Sequence, residues 1–130
     1  MINATIEARL GSTRFPNKIL KKISNKTFLE FQINRIKKSK YLSKIIVATT
    51  NKKNDKKIIN LCKKKKIEYY SGSNENVLKR IFMTHKKYKS QIVVRLCSDN
   101  PFQDPKMIDD SIKEYLKKKN DIVCFGGSPK

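Results

Sequence analysis

Short runs of apolar, β-branched residues alternate with amphipathic segments from one end of the chain to the other. The runs have the length of strands and are rich in residues that favour extended backbone. Five strands are predicted from them, at Ile2–Ala8, Ile45–Ala48, Ile67–Tyr70, Ile92–Val94 and Ile122–Phe125.

Four helices are predicted between these strands from caps and from apolar residues at helical spacing. The first begins at the capping-box pattern Thr27-Phe28-Leu29-Glu30, extends to about Lys38 and buries Phe28, Phe31 and Ile36. The second, of about ten residues, buries one stripe: Ile58, Leu61 and Cys62. The third follows a cap at Ser73 and has the stripe Val77, Leu78, Ile81, Phe82 and His85. The fourth begins at Asp104-Pro105 and buries Ile108, Ile112, Tyr115 and Leu116.

Strands that alternate with helices predict a largely parallel sheet covered by helices on both faces. We therefore expect a three-layer α/β/α fold, with residues 1–130 forming one domain. Ligands of such sheets bind outside the carboxyl ends of the strands. The segments to inspect follow those ends, and they are Arg9–Lys18, Thr49–Asn51, Ser71–Ser73 and Ser98–Pro101.

The chain is strongly basic, with 31 Lys plus Arg against 11 Asp plus Glu and a net charge of +20. Cations that neutralise phosphates suit a nucleic-acid partner. However, only five of them are Arg, and Lys, Asn and Ile, which AT-rich codons specify, make up 53 of the 130 residues. Aromatic residues are not interleaved with the basic runs as base stacking requires. The composition favours genome-wide drift over a nucleic-acid surface.

Three features of the sequence bear on where the protein is located in the cell. Its apolar stretches are far shorter than the roughly 20 residues of a membrane-spanning helix, and its N-terminus does not resemble a secretory signal. Cys62, Cys97 and Cys124 are odd in number and widely spaced, which fits reduced thiols better than disulfides or a zinc site. We expect a cytoplasmic protein with no membrane partner.

The segment Ala8-Arg9-Leu10-Gly11-Ser12-Thr13-Arg14-Phe15-Pro16-Asn17-Lys18 is where arginine is densest. A Gly-Ser-Thr turn lets backbone N–H groups approach an anion, and three cations can neutralise phosphates. The segment is neither a Walker loop nor a dinucleotide-binding glycine loop. From composition alone it is either a triphosphate cradle or a charged surface loop with a turn glycine.

The pattern A-R-x-G-S-T-R-x-P-x-K in this segment closely resembles the nucleotide-binding signature of the sugar cytidylyltransferases. The nearest branch is the spore-coat polysaccharide biosynthesis protein F type, with the 3-deoxy-manno-octulosonate and acylneuraminate cytidylyltransferases as broader relatives. Three further segments match in order, and they are Ile46–Thr50, the G-S-x-x-x-V-L-x-R segment Gly72–Arg80, and Val94–Pro101 with the helix that follows. The resemblance covers almost the whole chain.

This resemblance implies a Rossmann-like nucleotide-diphospho-sugar transferase fold, present only as its N-terminal half. It also implies transfer of CMP from CTP to an acidic or surface-polysaccharide sugar, with Mg²⁺ and release of pyrophosphate. The catalytic residues would be Arg9, Lys18 and Asp99, with Asp99 holding the metal. The nucleotide-binding residues would be Leu10, Gly11, Ser12, Thr13, Arg14, Ala48, Thr49, Thr50, Arg80 and Ser98.

The chain departs from the family in two ways. Ser98 stands where relatives usually carry Gly, and it either crowds the pocket or adds a donor. Relatives are also about twice as long, and their C-terminal half supplies sugar-binding and dimerisation elements. A homodimer, a second chain that supplies this half, and a non-catalytic nucleotide-binding or interaction module therefore all stay open. A basic nucleic-acid-binding protein is the less favoured alternative.

Other polar residues have simpler interpretations. His85, on the apolar side of a predicted helix, is expected to be structural, and no catalytic triad is apparent. Asp104, Asp109 and Asp110 suit the first turn of a helix without binding metal. Arg95 either reaches Asp99 or the base, or forms an ion pair at the sheet edge.

Overall fold

The computed structural model describes residues 1–11, 17–98, 103–118 and 121–124. The strands are β1 (Ile2–Glu7), β2 (Lys22–Ile23), β3 (Lys26–Thr27), β4 (Lys44–Thr50), β5 (Glu68–Gly72) and β6 (Ile92–Cys97). The helices are α1 (Phe28–Ile36), α2 (Lys56–Lys65), α3 (Val77–Lys87) and α4 (Pro105–Lys118). Four strands form one parallel sheet in the order β5-β4-β1-β6, and β2 and β3 form a small hairpin.

The central sheet is covered by helices on both faces, as the alternating pattern predicts. Side chains alternate between faces along each strand, so Ala4 and Ile6 of β1 share a face with Val47 of β4. This face packs on α1, α2 and α4 through one apolar cluster, which includes Leu29, Ile33, Ile36, Ile58, Cys62, Ile108 and Ile112. The opposite face carries Thr5, whose hydroxyl contacts His85 of α3. The three-layer α/β/α prediction is confirmed.

Two helix starts follow the predicted capping chemistry. Thr27 and Glu30 form a reciprocal capping box at α1, in which each side chain bonds the other residue's backbone N–H. Burial raises the pKa of Glu30, but hydrogen bonds from Thr27 and attraction to Lys65 outweigh it, and the net pKa lies below its ordinary value. The helix α4 begins at Pro105, and the side chain of Asp104, which precedes it, accepts the Lys106 N–H at 2.9 Å.

The predicted buried faces are partly wrong. Phe28 and Phe31 are only half-buried, and α1 instead buries the stripe Leu29, Gln32, Ile33 and Ile36. Leu78 and Phe82 of α3 are 76% and 62% exposed, and Leu116 of α4 is 49% exposed. The physical reason is that α3 turns polar side chains, Arg80, Thr84 and His85, toward a polar sheet face. Of the predicted stripe, Ile81 and His85 are buried, so apolarity alone gives the buried face of α3 only in part. The cap of α3 is Asn76, while Ser73 accepts the N–H of Asn76.

The predicted fifth strand is wrong for its described part. Ile122–Cys124 is not in a strand, and Ile122 is 78% exposed. These residues line one end of a groove of about 810 Å³ between β6 and α4, so they approach β6 without extending the sheet. Phe125 lies outside the described residues. A strand needs a paired neighbour, which apolar composition does not provide.

The fold also shows the surroundings of the three cysteines and the character of the helices. Cys62 is buried, Cys97 and Cys124 are exposed, and all three are free of disulfides. Burial raises the pKa of the Cys62 thiol to about 12, which makes it an inert part of the core. Across the ranges that the structure describes, none of the helices is long and apolar enough to cross a bilayer.

Candidate active site

The loops predicted to carry chemistry leave the sheet at one edge. Glu7 of β1 is in register with Ala48 of β4 on one side and with Cys97 of β6 on the other. Adjacent strands lie about 4.8 Å apart. The segments that begin at Ala8 and Ser98 therefore start side by side at the carboxyl edge of the sheet.

The loop after β1 is fastened before it leaves the sheet. Ala8 donates its N–H to Ala48 O at 3.1 Å, and Leu10 donates its N–H to Asp55 Oδ1 at 2.8 Å. Leu10 is buried, whereas Arg9 and Gly11 on either side of it are exposed. The Arg9 side chain is therefore free to reach solvent from a fixed backbone position. Ser12, Thr13 and Arg14 lie outside the described residues.

Lys18 returns the chain to the fold after this loop. Asn17 has a left-handed backbone with φ 59°, and Lys18 begins a single 3₁₀ turn that ends at Leu20. Ile19 in that turn is buried in the apolar cluster, and Phe28 N–H bonds Lys21 O at 3.0 Å. Lys18 itself is half-buried, and its backbone is held by the anchored turn.

Arg80 lies beneath the carboxyl edge, on the α3 face. It is 2% exposed, its Nη1 donates to Ser73 O at 2.8 Å, and its Nε has no hydrogen-bond partner in the described part of the chain. Gly72 makes room for the neighbouring Tyr70 ring, because a Cβ there would lie 2.6 Å from Tyr70 Cε1, whereas its 3.4 Å distance to Arg80 Cγ is close to an ordinary contact. Arg80 is therefore enclosed at the end of the sheet, with one hydrogen bond to the loop after β5.

Arg80 is also the electrostatic centre of the edge. Burial lowers its pKa, Glu7 and Asp55 raise it, and Arg9 and Arg95 lower it further. Guanidinium groups remain protonated in proteins. Two further arginines and two carboxylates thus lie within electrostatic reach of Arg80, so that the described groups around it, with Arg80 itself, carry an excess of positive charge.

The Arg95 alternatives are settled in favour of an ion pair. Its Nε and Nη2 donate to the two carboxylate oxygens of Glu7 at 2.6 and 3.1 Å. This hydrogen bonding raises the pKa of Arg95. Glu7 could not be singled out from the sequence, because the partner of a carboxylate at the end of a strand becomes evident only once the strand order is known.

The three predicted residues of β4 do not share one environment. Ala48, Thr49 and Thr50 are all fully buried. Alternation places Ala48 on the α3 face with Arg80, whereas Thr49 shares the opposite face with Val47. Thr49 Oγ1 is buried there without a partner among the described residues, while the Thr50 hydroxyl donates to Asp55. The structure does not bring Thr49 and Arg80 onto one face.

Asp99, the predicted metal ligand, lies outside the described residues, and Ser98 is the last described residue before it. Within the described ranges, no group of three His, Cys, Asp or Glu residues could hold a metal ion. Glu7 is bound to Arg95, and Asp55 is bound to Leu10 and Thr50. A metal at this edge would therefore depend on Asp99 and on ligand phosphates, a donor set that suits Mg²⁺.

The remaining candidates have structural roles. His85 is buried between Thr5 Oγ1 at 3.0 Å and Ser90 Oγ at 2.8 Å, and burial lowers its pKa. Asp109 accepts the Ser39 hydroxyl and the Lys40 N–H. Burial raises the pKa of Asp109, but these bonds outweigh it and the net pKa is lowered.

Sequence reasoning missed two buried polar residues that hold the edge together. Asp55 fastens Leu10, as described above. Gln32 of α1 is fully buried and donates from Nε2 to Cys97 O, the last carbonyl of β6, at 2.7 Å. Asp55 precedes a helix and Gln32 lies within one, so the sequence offered only capping and helix propensity as interpretations.

Comparison with known proteins places this geometry in context. The sequence profile described as Cytidylyltransferase matches residues 4–128. The spore coat polysaccharide biosynthesis protein SpsF of Bacillus subtilis is 30% identical over 128 residues, which are 95% of this chain and 53% of that protein. The chain spans about half the length of the curated relatives it matches.

Solved structures agree. A cytidylyltransferase from Leptospira borgpetersenii serovar Hardjo-bovis is 33% identical and superposes with a TM-score of 0.85 over 91% of this chain and 50% of that one. CMP:2-keto-3-deoxy-manno-octonic acid synthetase, solved with CTP, gives a TM-score of 0.76 at 19% identity, covering 91% of this chain and 48% of that one. The second likeness shows a shared fold. From the profile match over nearly its whole length, together with the loops gathered at one sheet edge, we conclude that this chain belongs to the cytidylyltransferase family.

Proposed function

We propose that this chain carries the nucleotide-binding half of an enzyme that transfers CMP from CTP to a sugar hydroxyl and releases pyrophosphate. The observation that supports it best is the register of β1 and β6, in which Glu7 lies opposite Cys97. The Arg9 loop and the Ser98-Asp99 segment therefore begin next to each other. One triphosphate at this edge would be within reach of both segments.

The charges at the edge suit the reaction. Nucleotidyl transfer depends mainly on alignment of the reactants and on neutralisation of charge on the phosphates. Together, Arg9 and Lys18 would offset the charge that develops on the α-phosphate and the leaving pyrophosphate, with Arg9 on the pyrophosphate side. Arg80, Arg95 and their partners Glu7 and Asp55 form the base of this edge. Backbone donors of the Gly11–Arg14 segment would contact the phosphates.

Magnesium is part of the proposal. When bound, it supplies neutralisation of the phosphate oxygens and helps fix their geometry. Asp99 would be its protein ligand, and Ser98 would lie beside it. A single carboxylate would be sufficient, because phosphate oxygens and water can serve as the other ligands of Mg²⁺.

The acceptor is proposed from the relatives' own names. SpsF is named for spore coat polysaccharide biosynthesis, and the synthetase solved with CTP acts on 2-keto-3-deoxy-manno-octonic acid. We therefore propose an acidic or surface-polysaccharide sugar as acceptor. The attacking group would be a sugar hydroxyl in line with the bond to pyrophosphate.

Calorimetry with CTP and ATP, in Mg²⁺ and in EDTA, tests the nucleotide assignment. We expect CTP to bind more tightly than ATP, and we expect Mg²⁺ to strengthen CTP binding. Lys18→Ala should weaken CTP binding about tenfold, which corresponds to about 1.4 kcal/mol, in both buffers. Asp99→Asn should weaken CTP binding only in Mg²⁺. In EDTA no metal links the carboxylate to the triphosphate and the two negative groups repel each other, so loss of the carboxylate should not weaken binding. Lys117→Ala, at the exposed end of α4, is the matched control. Equal affinity for CTP and ATP, with no effect of either variant, would refute the assignment.

A second candidate is a module that binds CTP without turnover. It is favoured by the outer side of β6, where no strand pairs with β6 among the described residues, Val93 is 47% exposed and a groove of about 810 Å³ lies between β6 and α4. Pyrophosphate release, measured with a panel of acidic and neutral sugars, separates the two. The module binds CTP and releases no pyrophosphate, whereas the enzyme releases it with at least one sugar.

A further inference from the structure

Asp55 has an unusual place for a buried carboxylate. It ends the 3₁₀ turn Lys53–Asp55, immediately before α2, and it is 3% exposed. Aspartate at the start of a helix ordinarily caps it by accepting a backbone N–H of the first turn. The Asp55 side chain makes no such cap bond to α2. Its position next to a helix therefore does not account for its burial.

The carboxylate joins two other elements instead. Oδ1 accepts the Leu10 N–H at 2.8 Å, and Oδ2 accepts the hydroxyl of Thr50 at the end of β4. Thr50 Oγ1 in turn accepts the Lys52 N–H at 3.2 Å. Burying a carboxylate is unfavourable unless hydrogen bonds and nearby cations compensate it, and Arg80 lies within electrostatic reach. Both oxygens are engaged, so the group is a fixed structural acceptor.

The consequence concerns Arg9. Ala8 N–H is bound to Ala48 O, and Leu10 N–H is bound to Asp55. Arg9 is therefore held between two fastened peptide groups, with its own side chain exposed. Without Asp55, the second attachment is lost, and the path of the chain into Gly11 is no longer fixed. Charge neutralisation is effective only when the cation is positioned in advance of the reaction.

We propose that Asp55 is a positioning residue for the triphosphate side of the site, which acts by fixing Leu10 and thereby the direction of Arg9. This inference rests on the proposed function, because it takes the anion at the edge to be the triphosphate of CTP. In this role Asp55 does not itself touch the nucleotide. Its removal should weaken contacts to the β- and γ-phosphates and leave contacts to cytidine intact.

The test compares Asp55→Ala and Asp55→Asn with wild type, using Asp110→Asn on the exposed side of α4 as the control. CTP and CMP affinities are measured by calorimetry, and exchange of the Leu10 amide hydrogen is followed by NMR. We expect Asp55→Ala to weaken CTP about tenfold, to leave CMP unchanged, and to accelerate exchange at Leu10. Asp55→Asn keeps an acceptor for Leu10 and should recover most of the CTP affinity. The control should match wild type in every measurement.

The outcomes distinguish this inference from the function on which it rests. If wild type binds neither nucleotide, the proposed function fails. Exchange at Leu10 in Asp55→Ala still shows in that case whether Asp55 holds the loop after β1. If wild type binds CTP and Asp55→Ala binds it equally, the positioning role alone is refuted. Equal losses for CTP and CMP would also refute it, because they indicate general damage to the fold. Should Asp55→Ala fail to fold, Thr50→Val removes one of the two bonds to the carboxylate and is expected to weaken CTP but not CMP.

Discussion

The two faces of the central sheet are held to their helices by different chemistry. On one face, Ala4, Ile6 and Val47 pack into an apolar cluster with α1, α2 and α4. On the other, Asn3 and Thr5 of β1 join a hydrogen-bond network with His85 and Ser90. The first face gains stability from buried area, which is nondirectional. The second depends on partners placed in fixed geometry, and it is also the face that carries Arg80.

The largest expected effect comes from opening a cavity on the apolar face. Ile6 is fully buried in the central strand β1, so Ile6→Ala removes packing that its neighbours cannot replace. We expect the free energy of unfolding to fall by about 2–5 kcal/mol, measured by urea denaturation. Leu78→Ala, on the exposed side of α3, is the control and should change it by less than about 0.5 kcal/mol. Similar losses at the two positions would mean that the assigned faces are wrong.

Two opposite substitutions, Thr by Val on the polar face and Val by Thr on the apolar face, test the difference between the faces directly. Thr5→Val removes the hydroxyl that lies 3.0 Å from His85 Nε2 and leaves that buried nitrogen without its partner. Val47→Thr introduces a hydroxyl into the apolar cluster. Each should cost about 1–3 kcal/mol in urea denaturation, because a buried polar group is left unpaired in both variants. A neutral result for Thr5→Val would show that the network does not stabilise the α3 face.

The pH dependence provides the smallest and most selective test. Burial lowers the pKa of His85 below its ordinary value of 6.5. Below pH 6.5 the unfolded chain therefore binds more protons at this residue than the folded chain, and stability falls as the pH falls. Glu30 and Asp109 also have lowered pKa values, but their contributions are lost only as the pH falls below their ordinary values of 4.5 and 3.8.

Between the ordinary pKa values of Glu30 and His85, 4.5 and 6.5, the pH dependence of stability reports on His85 rather than on Glu30 or Asp109. We expect the stability of wild type to decline from pH ~7 to ~5, and that of His85→Gln to change much less over the same range. Denaturation midpoints in urea across this range provide the measurement. Parallel profiles for the two proteins would contradict the assignment of the acid sensitivity to His85.

The sequence predicted the features that depend on local chemistry. The four strands of the parallel sheet, the capping box at Thr27 and the start of α4 at Asp104-Pro105 all follow from propensities and caps, which act over a few residues, whereas the hairpin of β2 and β3 was not predicted. The helix faces were harder. Leu78 and Phe82 indicated the buried side of α3, but Arg80 and Thr84 occupy it because the opposing sheet face is polar. That fact appears only once the strands are ordered.

The same limit applies to the edge where the loops gather. The Arg9 loop and Arg80 could be selected from sequence motifs, and topology accounts for why they share an edge. The Glu7–Arg95 pair joins residues 88 positions apart, and the bond from Asp55 to Leu10 spans 45. No local pattern encodes such pairings. Ser12, Thr13, Arg14 and Asp99 lie outside the described residues and stay predictions.

The outer edge of β6 has a consequence for handling the protein. In the part of the chain that the structure describes, no strand pairs with this edge. A strand edge without a partner is a template onto which another chain can add by backbone hydrogen bonding, and Val93 and Leu116 leave apolar surface near it. The net charge of +20 opposes such association by mutual repulsion between molecules. Because dissolved ions screen that repulsion, concentrated solutions of this chain should stay clear at low ionic strength and turn turbid as salt is added.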